Sequence, residues 1–187
     1  MNIIRKHAGS VALALSILLA SGAPHTSLAA GSHGDDHGHS RKAEVNIGMQ
    51  GDPARVSRTI QIIMFDNYYE PKSLSLKEGE TVRFVVTNKG EFVHEFNIAT
   101  AEMHVSHQGE MMEMMDRGIL EMDRIRHDLM GHGTGSMSHD HANSALLEPG
   151  QTAEIVWTFD THAKLEFACN VPGHYDSGMT GKIKLSH

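Results

Sequence analysis

One cysteine stands in this chain of 187 residues, so Cys169 cannot close an intramolecular disulfide and the fold must hold without a covalent framework. Basic surface is scarce as well. With 16 Lys and Arg against 23 Asp and Glu the formal charge is −7, which argues against nucleic acid or an anionic membrane as partner, because phosphate surfaces select basic faces. Long apolar runs are missing too. The run from Val11 to Ala20 is too short to span a bilayer comfortably and no later segment approaches its length, so no stable membrane insertion is expected of the exported chain. The 40% of hydrophobic residues suffices for the core of one ordinary domain.

What the chain has in excess is histidine and methionine, 15 and 12 residues, against that lone thiol. Residues 1–30 read as a signal peptide: Arg5 and Lys6 form the basic start, and Ser27-Leu28-Ala29-Ala30 the small-residue cleavage region, with the cut after Ala29 or Ala30. Export to the periplasm is the expectation. Loss of two basic residues makes the mature chain more acidic still, so any charge-steered partner should be basic. Residues 31–55 read as a flexible arm carrying His33, His37 and His39, too poor in apolar residues to fold alone.

From residue 56 to 187 the pattern is that of one domain. Apolar residues alternate over Thr59 to Phe65, then at Val82, Phe84 and Val86, at Ile155, Trp157 and Phe159, at Leu165 and Phe167, and at Ile183 and Leu185. Period two means strands with one buried face, and Glu70-Pro71, Glu78-Gly79 and Glu148-Pro149-Gly150 mark turns between them. The expected class is all-β, a sandwich or barrel. Between Ala99 and Leu147 the alternation stops, which makes residues 100–146 an insert. In its first part, roughly Glu110 to Met130, a helical stripe is expected from Met111, Met115, Met122, Ile125 and Leu129. Its second part, Gly131 to Ser144, is rich in Gly and Ser and reads as a flexible tail.

The chemistry centres on the stretch from Phe167 to Met179. Alternation from Leu165 and Phe167 turns Cys169 inward at a strand end, and the Pro172-Gly173 loop can bring His174 and Met179 back over it. Phe92, His94, Phe96 and Ile98 alternate likewise, so His94 should point inward too. Two imidazoles, a thiolate and a thioether are the donor set of a mononuclear type 1 copper centre, in which soft sulfurs stabilise Cu(I).

An upstream His in an apolar strand followed by Cys169-x4-His174-x4-Met179 resembles the cupredoxins, with a copper loop like that of plastocyanin-type proteins and the longer Cys-to-His spacing of rusticyanin. The resemblance covers about Ser57 to Ile98 and Leu146 to Ser186. It implies a Greek-key β-sandwich that binds copper through His94, Cys169, His174 and, axially, Met179. Glu95 departs from the pattern, since many cupredoxins carry Asn or Ser after the first His, where the side chain helps tie the ligand loops together.

Outside that set stand further donors for copper: Met103, His104, His107, Met112, Met114, His127, Met130, His132, Met137, His139 and His141, besides the histidines of the arm. Met111, Met115 and Met122 read instead as a packing face, since Met fills irregular gaps. Such a Met/His-rich insert resembles the periplasmic copper-tolerance cupredoxins of the CopI type. Two functions follow from the resemblance. In one, the chain binds copper and oxidises Cu(I) to Cu(II) as a cuprous oxidase; in the other it is a soluble electron carrier with a basic redox partner such as a cytochrome. A multicopper oxidase fits poorly, because its cluster needs His-x-His pairs in strands, and here only His37-Gly38-His39 and His139-Asp140-His141 occur, both in tracts read as flexible. As the four ligands lie outside the insert, excising Met103 to His141 is expected to leave their site intact.

Overall fold

The period-two runs are strands. The computed structural model describes residues 45–130 and 141–186; the expected signal peptide, the arm histidines His33, His37 and His39, and His132, Met137 and His139 lie outside the described residues. In chain order come β1 (Met49–Gln50), β2 (Arg58–Phe65), β3 (Tyr68–Glu70), β4 (Ser73–Lys77), β5 (Thr81–Asn88) and β6 (His94–Ala99). The helix α1 (Ala101–Asp116) follows, then β7 (Ser144–Leu147), β8 (Thr152–Thr158), β9 (Glu166–Ala168) and β10 (Thr180–Ser186).

Two five-stranded sheets result, ordered β1-β8-β5-β2-β3 and β4-β10-β9-β6-β7. Both are mixed: β2 runs parallel to β5 and β4 parallel to β10, while the other pairs are antiparallel. The expected all-β sandwich is therefore the observed one. Its core is aromatic at the centre: Phe167 meets Tyr69 edge-on (5.0 Å between centroids) and Phe96 at a tilt (5.3 Å), and Phe96 in turn touches Phe84 (5.5 Å). All four rings are buried, and each edge-on or tilted pair contributes on the order of 1 kcal/mol beyond area burial.

Strand β6 breaks the alternation, since all six of its residues are buried. One face belongs to the sandwich core through Phe96 and Ile98, while Glu95 on the other face meets His107 of α1. A strand covered on both sides carries no polar-out signal.

The insert is where reading and structure part. The helix spans residues 101–116 rather than 110–130; the Thr100 hydroxyl caps it by accepting from the Met103 amide (3.3 Å). It stops where Gly118 takes left-handed backbone (φ 69°) and the Gly118 amide bonds the Met115 carbonyl (2.9 Å). The buried stripe is His104, His107, Met111 and Met114, at helical spacings of three and four. Met114 thus belongs to the packing face, while Met122 is 67% exposed and does not. The misreading has a cause: an apolar count passes over histidines that face inward toward a buried carboxylate. Beyond the helix, Ile119, Leu120 and Ile125 join the core, so the insert as far as Ile125 is packed against the sandwich.

Two boundaries also move. Ser144 to Leu147 is a strand paired with β6, although those residues fell within or at the edge of the expected insert. Met49 and Gln50 pair with Thr158 and Trp157 of β8, and the Trp157 indole donates to the Ile47 carbonyl (3.1 Å), so the expected arm is part of the domain from about residue 46. Among the described residues no helix is long and apolar enough to cross a membrane.

Candidate metal centre

The site is assembled by two turns at one end of the second sheet. Asn88, buried at the end of β5, donates through Nδ2 to the carbonyls of Phe92 (2.7 Å) and Leu147 (2.8 Å) and accepts at Oδ1 from the Gly90 amide (2.9 Å). This braces the turn that delivers His94, fully buried, into β6. The second turn follows β9. The Cys169 amide donates to the Met179 carbonyl (3.1 Å) and the Met179 amide to the His174 carbonyl (3.0 Å), so the loop closes on itself. Gly173 (φ 85°) and Gly178 (φ 92°) supply left-handed backbone on either side of His174.

Ligand atoms of His94, Cys169 and His174 all lie within 4.8 Å of one another. His174 Nδ1 is 3.3 Å from Cys169 Sγ and 3.2 Å from His94 Nδ1, and His94 Nδ1 is 3.9 Å from the sulfur. Cys169 and Met179 are fully buried, and His174 is half-buried and nearest to solvent. Among the described residues no other group of three His, Cys, Asp or Glu side chains comes close enough to share a metal ion.

Electrostatics suit a soft cation here. Burial holds His174 down to about 4, with the neighbouring His94 adding to the fall against the opposing pull of Asp66. Burial also lowers His94, although Asp66 opposes it. Both rings are therefore neutral, with lone pairs to offer. Burial pushes the Cys169 thiol up to about 12, against the Glu95 amide, which donates to the sulfur at 3.3 Å. Metal binding must then displace the thiol proton, as it does at thiolate sites generally. Two neutral imidazoles and a sulfur converging at one point fit copper, whose oxidation states accept these ligands.

Asp66 was not visible as a site residue in the sequence. His94 Nε2 donates to Asp66 Oδ1 (2.9 Å), which fixes the tautomer and turns the Nδ1 lone pair toward the sulfur. Burial would raise this carboxyl, but the bond to His94 and the Glu91 amide outweigh it and hold it low. Gly90 makes room for the contact: a Cβ there would overlap Asp66 Oδ1 and stand 2.8 Å from His94 Nε2. Asp66→Ala is expected to weaken copper binding by about 10–100-fold, the usual cost of losing such an orienting carboxylate. Competition against a chelator checks this, and parental affinity in the variant would refute the role.

Glu95 lies behind the sulfur and is wholly buried. Its Oε1 accepts from His107 Nε2 (3.0 Å), Ser144 Oγ (2.6 Å) and Asn97 Nδ2 (3.2 Å), and its Oε2 from the amide (3.3 Å) and Nδ2 (2.8 Å) of Asn170. Burial alone would raise this carboxyl; the bonds from His107, Ser144 and Asn170 and the His107 charge outweigh it, down to about 2. Burial would likewise lower His107, but Glu95 and Glu110 carry it up to about 9. The pair is ionised, and its pH dependence has a definite sign. Glu95 contributes stability above its ordinary value near 4.5, lost as pH falls through about 2; His107 contributes below its ordinary 6.5, lost as pH rises through about 9. In thermal melts of the copper-free protein, the lead of the parent over His107→Gln should shrink between pH 6.5 and 9. A lead unchanged across that range would contradict the assignment.

Among the described residues the remaining histidines form no further group of three His, Cys, Asp or Glu side chains within reach of one ion, while Met103, His104, His107 and His141 line one cavity and His127, Met130 and His141 another. Both nitrogens of His107 face carboxylates, Glu95 Oε1 and Glu110 Oε2 (2.8 Å). His104 Nδ1 accepts from Asn170 Nδ2 (3.2 Å), and Met114 is closed within the core. Met103 and Met130 are half-buried, and Met112, His127 and His141 are exposed; the His141 ring stands 5.9 Å from that of His107.

Comparison with known proteins agrees with this geometry. The family of copper binding proteins described as plastocyanin/azurin matches residues 58–186. The copper-resistant cuproprotein CopI of Pseudomonas aeruginosa is 45% identical over 148 residues, covering 74% of this chain and 82% of that protein. CopI of Rubrivivax gelatinosus is 33% identical over 157 residues, covering 80% and 83%. In structure, auracyanin B superposes with a TM-score of 0.55 over 75% of this chain and 96% of its own, at 16% identity.

Proposed function

The chain belongs to the plastocyanin/azurin family of copper-binding proteins, and from that premise we propose that it confers copper tolerance in the periplasm through a type 1 centre of His94, Cys169, His174 and Met179. The observation that carries this reading is the convergence of His94, Cys169 and His174 at a buried end of the sandwich. Met179, fully buried and tied by its backbone to Cys169 and His174, completes the set. The tolerance role draws support from the CopI relatives, whose names call them copper-resistant. Export draws support from the leader at residues 1–30.

Copper held there supplies a one-electron couple, and the two sulfurs favour its reduced form. The protein's own part is to keep that couple oriented and dry. Asp66 sets the ring of His94, Glu95 and Asn170 set the corner at Cys169, and half-buried His174 offers the route by which an electron leaves. A Cu(I) ion taken as substrate would lose one electron and leave as Cu(II), with a basic redox protein such as a cytochrome as the final acceptor; His94, Cys169, His174 and Met179 would hold the copper that supplies the one-electron couple between them. The acidic surface favours such a partner. Copper stoichiometry and visible spectrum of the leaderless protein test the centre, and the rate of Cu(I) loss with and without a redox protein tests the reaction. A protein with no sulfur-to-copper absorption, or one that leaves Cu(I) untouched, would overturn the corresponding half of the reading.

A further inference from the structure

We propose that Glu95 and His107 are positioning residues of the copper centre, a buried pair through which the insert helix α1 holds the Cys169–Asn170 corner. This rests on the reading that Cys169 binds copper. The carboxylate of Glu95 is divided between two parts of the molecule: Oε1 receives His107 of the insert with Ser144 and Asn97, and Oε2 receives both nitrogens of Asn170, the residue after Cys169. The Glu95 amide donates to the sulfur itself, and its carbonyl accepts from the Tyr69 hydroxyl (2.5 Å). Every polar group of Glu95 is thereby engaged, and the side chain has no freedom to shift without moving Cys169 or α1.

The insert meets the centre twice more, once at this corner and once beside His94. His104, one turn before His107 on the buried face of α1, accepts from the Asn170 side chain. Beyond the helix, the Met122 carbonyl accepts from the amide of Val93 (2.7 Å), next to His94. Stability alone does not account for the pair, because a buried ion pair is often no better than apolar side chains of the same volume. What it supplies is a fixed geometry: a fully buried carboxylate and a largely buried imidazole with directional bonds favour one arrangement of helix, strand and loop. The two histidines that a composition count assigns to copper thus serve the centre as supports.

The experiment uses the full chain loaded with copper and compares the parent with His107→Gln, Glu95→Gln and Met111→Leu. Met111 is buried on the same helix face but carries no charge and no donor for Glu95, so it controls for general loosening of the insert. Copper affinity should fall about 10–100-fold in the first two variants, the range for lost orienting partners, with a changed ratio of the sulfur-to-copper bands, while Met111→Leu keeps both. Parental affinity and spectrum in folded His107→Gln and Glu95→Gln would overturn the proposal, as would an equal change in Met111→Leu. If neither charged-partner variant folds, Ser144→Ala decides, since it removes one bond to the same carboxylate and should alter the band ratio in the same direction. A parent that lacks the bands altogether would sink the copper-centre reading instead, a result distinct from bands that are present and unmoved.

Discussion

Cys169→Ser is expected to give a folded protein that has lost the intense sulfur-to-copper absorption. The side chain is fully buried, yet its loss removes no packing of consequence, because the hydroxyl occupies nearly the same space and can accept from the Glu95 amide as the sulfur does. The aromatic centre around Phe96 and Phe167 is unaffected, so far-ultraviolet circular dichroism should match the parent. The chemistry changes completely. A hydroxyl is a hard, protonated donor that Cu(I) disfavours, and it has no thiolate charge to transfer. An unchanged visible spectrum would end the assignment of Cys169 as a ligand.

Excising Met103 to His141 is expected to unfold the domain, which reverses what the sequence suggests. The four expected copper ligands do lie outside that segment, but their supports do not. Removing His107 leaves Glu95 buried without its cationic partner, a loss of about 3–5 kcal/mol. Met111, Met114, Ile119, Leu120 and Ile125 leave the core together, and truncation of one such side chain costs roughly 2–5 kcal/mol. Domains of this size are stable by about 5–15 kcal/mol in total, so the sum exceeds what is available. Loss of the cooperative thermal transition in the excised protein checks this. A deletion that melts like the parent and keeps its absorption would show that α1 is dispensable. That result would also remove the ground for assigning His107 a role at the centre.

How much of the site was legible depends on the range of the contacts involved. Cys169, His174 and Met179 stand in one loop, and a Cys-x4-His-x4-Met spacing after an alternating strand announces itself in any window of a dozen residues. His94 was legible from the parity of its neighbours Phe96 and Ile98. Asp66 was not, since it precedes His94 by 28 residues, in the turn between β2 and β3, whose placement beside His94 leaves no local mark. Glu95 drew notice only as a departure from a pattern, and composition cannot distinguish a histidine offered to copper from one that, like His107, is bound to a buried carboxylate.

The sequence by itself determined the strands and the order of the ligands, because period-two burial and loop spacing are properties of neighbouring residues and survive without any knowledge of what they face; the choice of sandwich over barrel came from the family resemblance. It also determined that an insert interrupts the strands after Ala99. Only the tertiary structure decided what that insert does. The buried face of α1, the partners of Glu95 and the carboxylate behind His94 are fixed by which surfaces meet across β6 and the turns beside it. A buried polar group takes its meaning from the partner that satisfies it. Here those partners are brought together by the packing of β2, β6, α1 and the Cys169 loop, and by no pattern within any one of them.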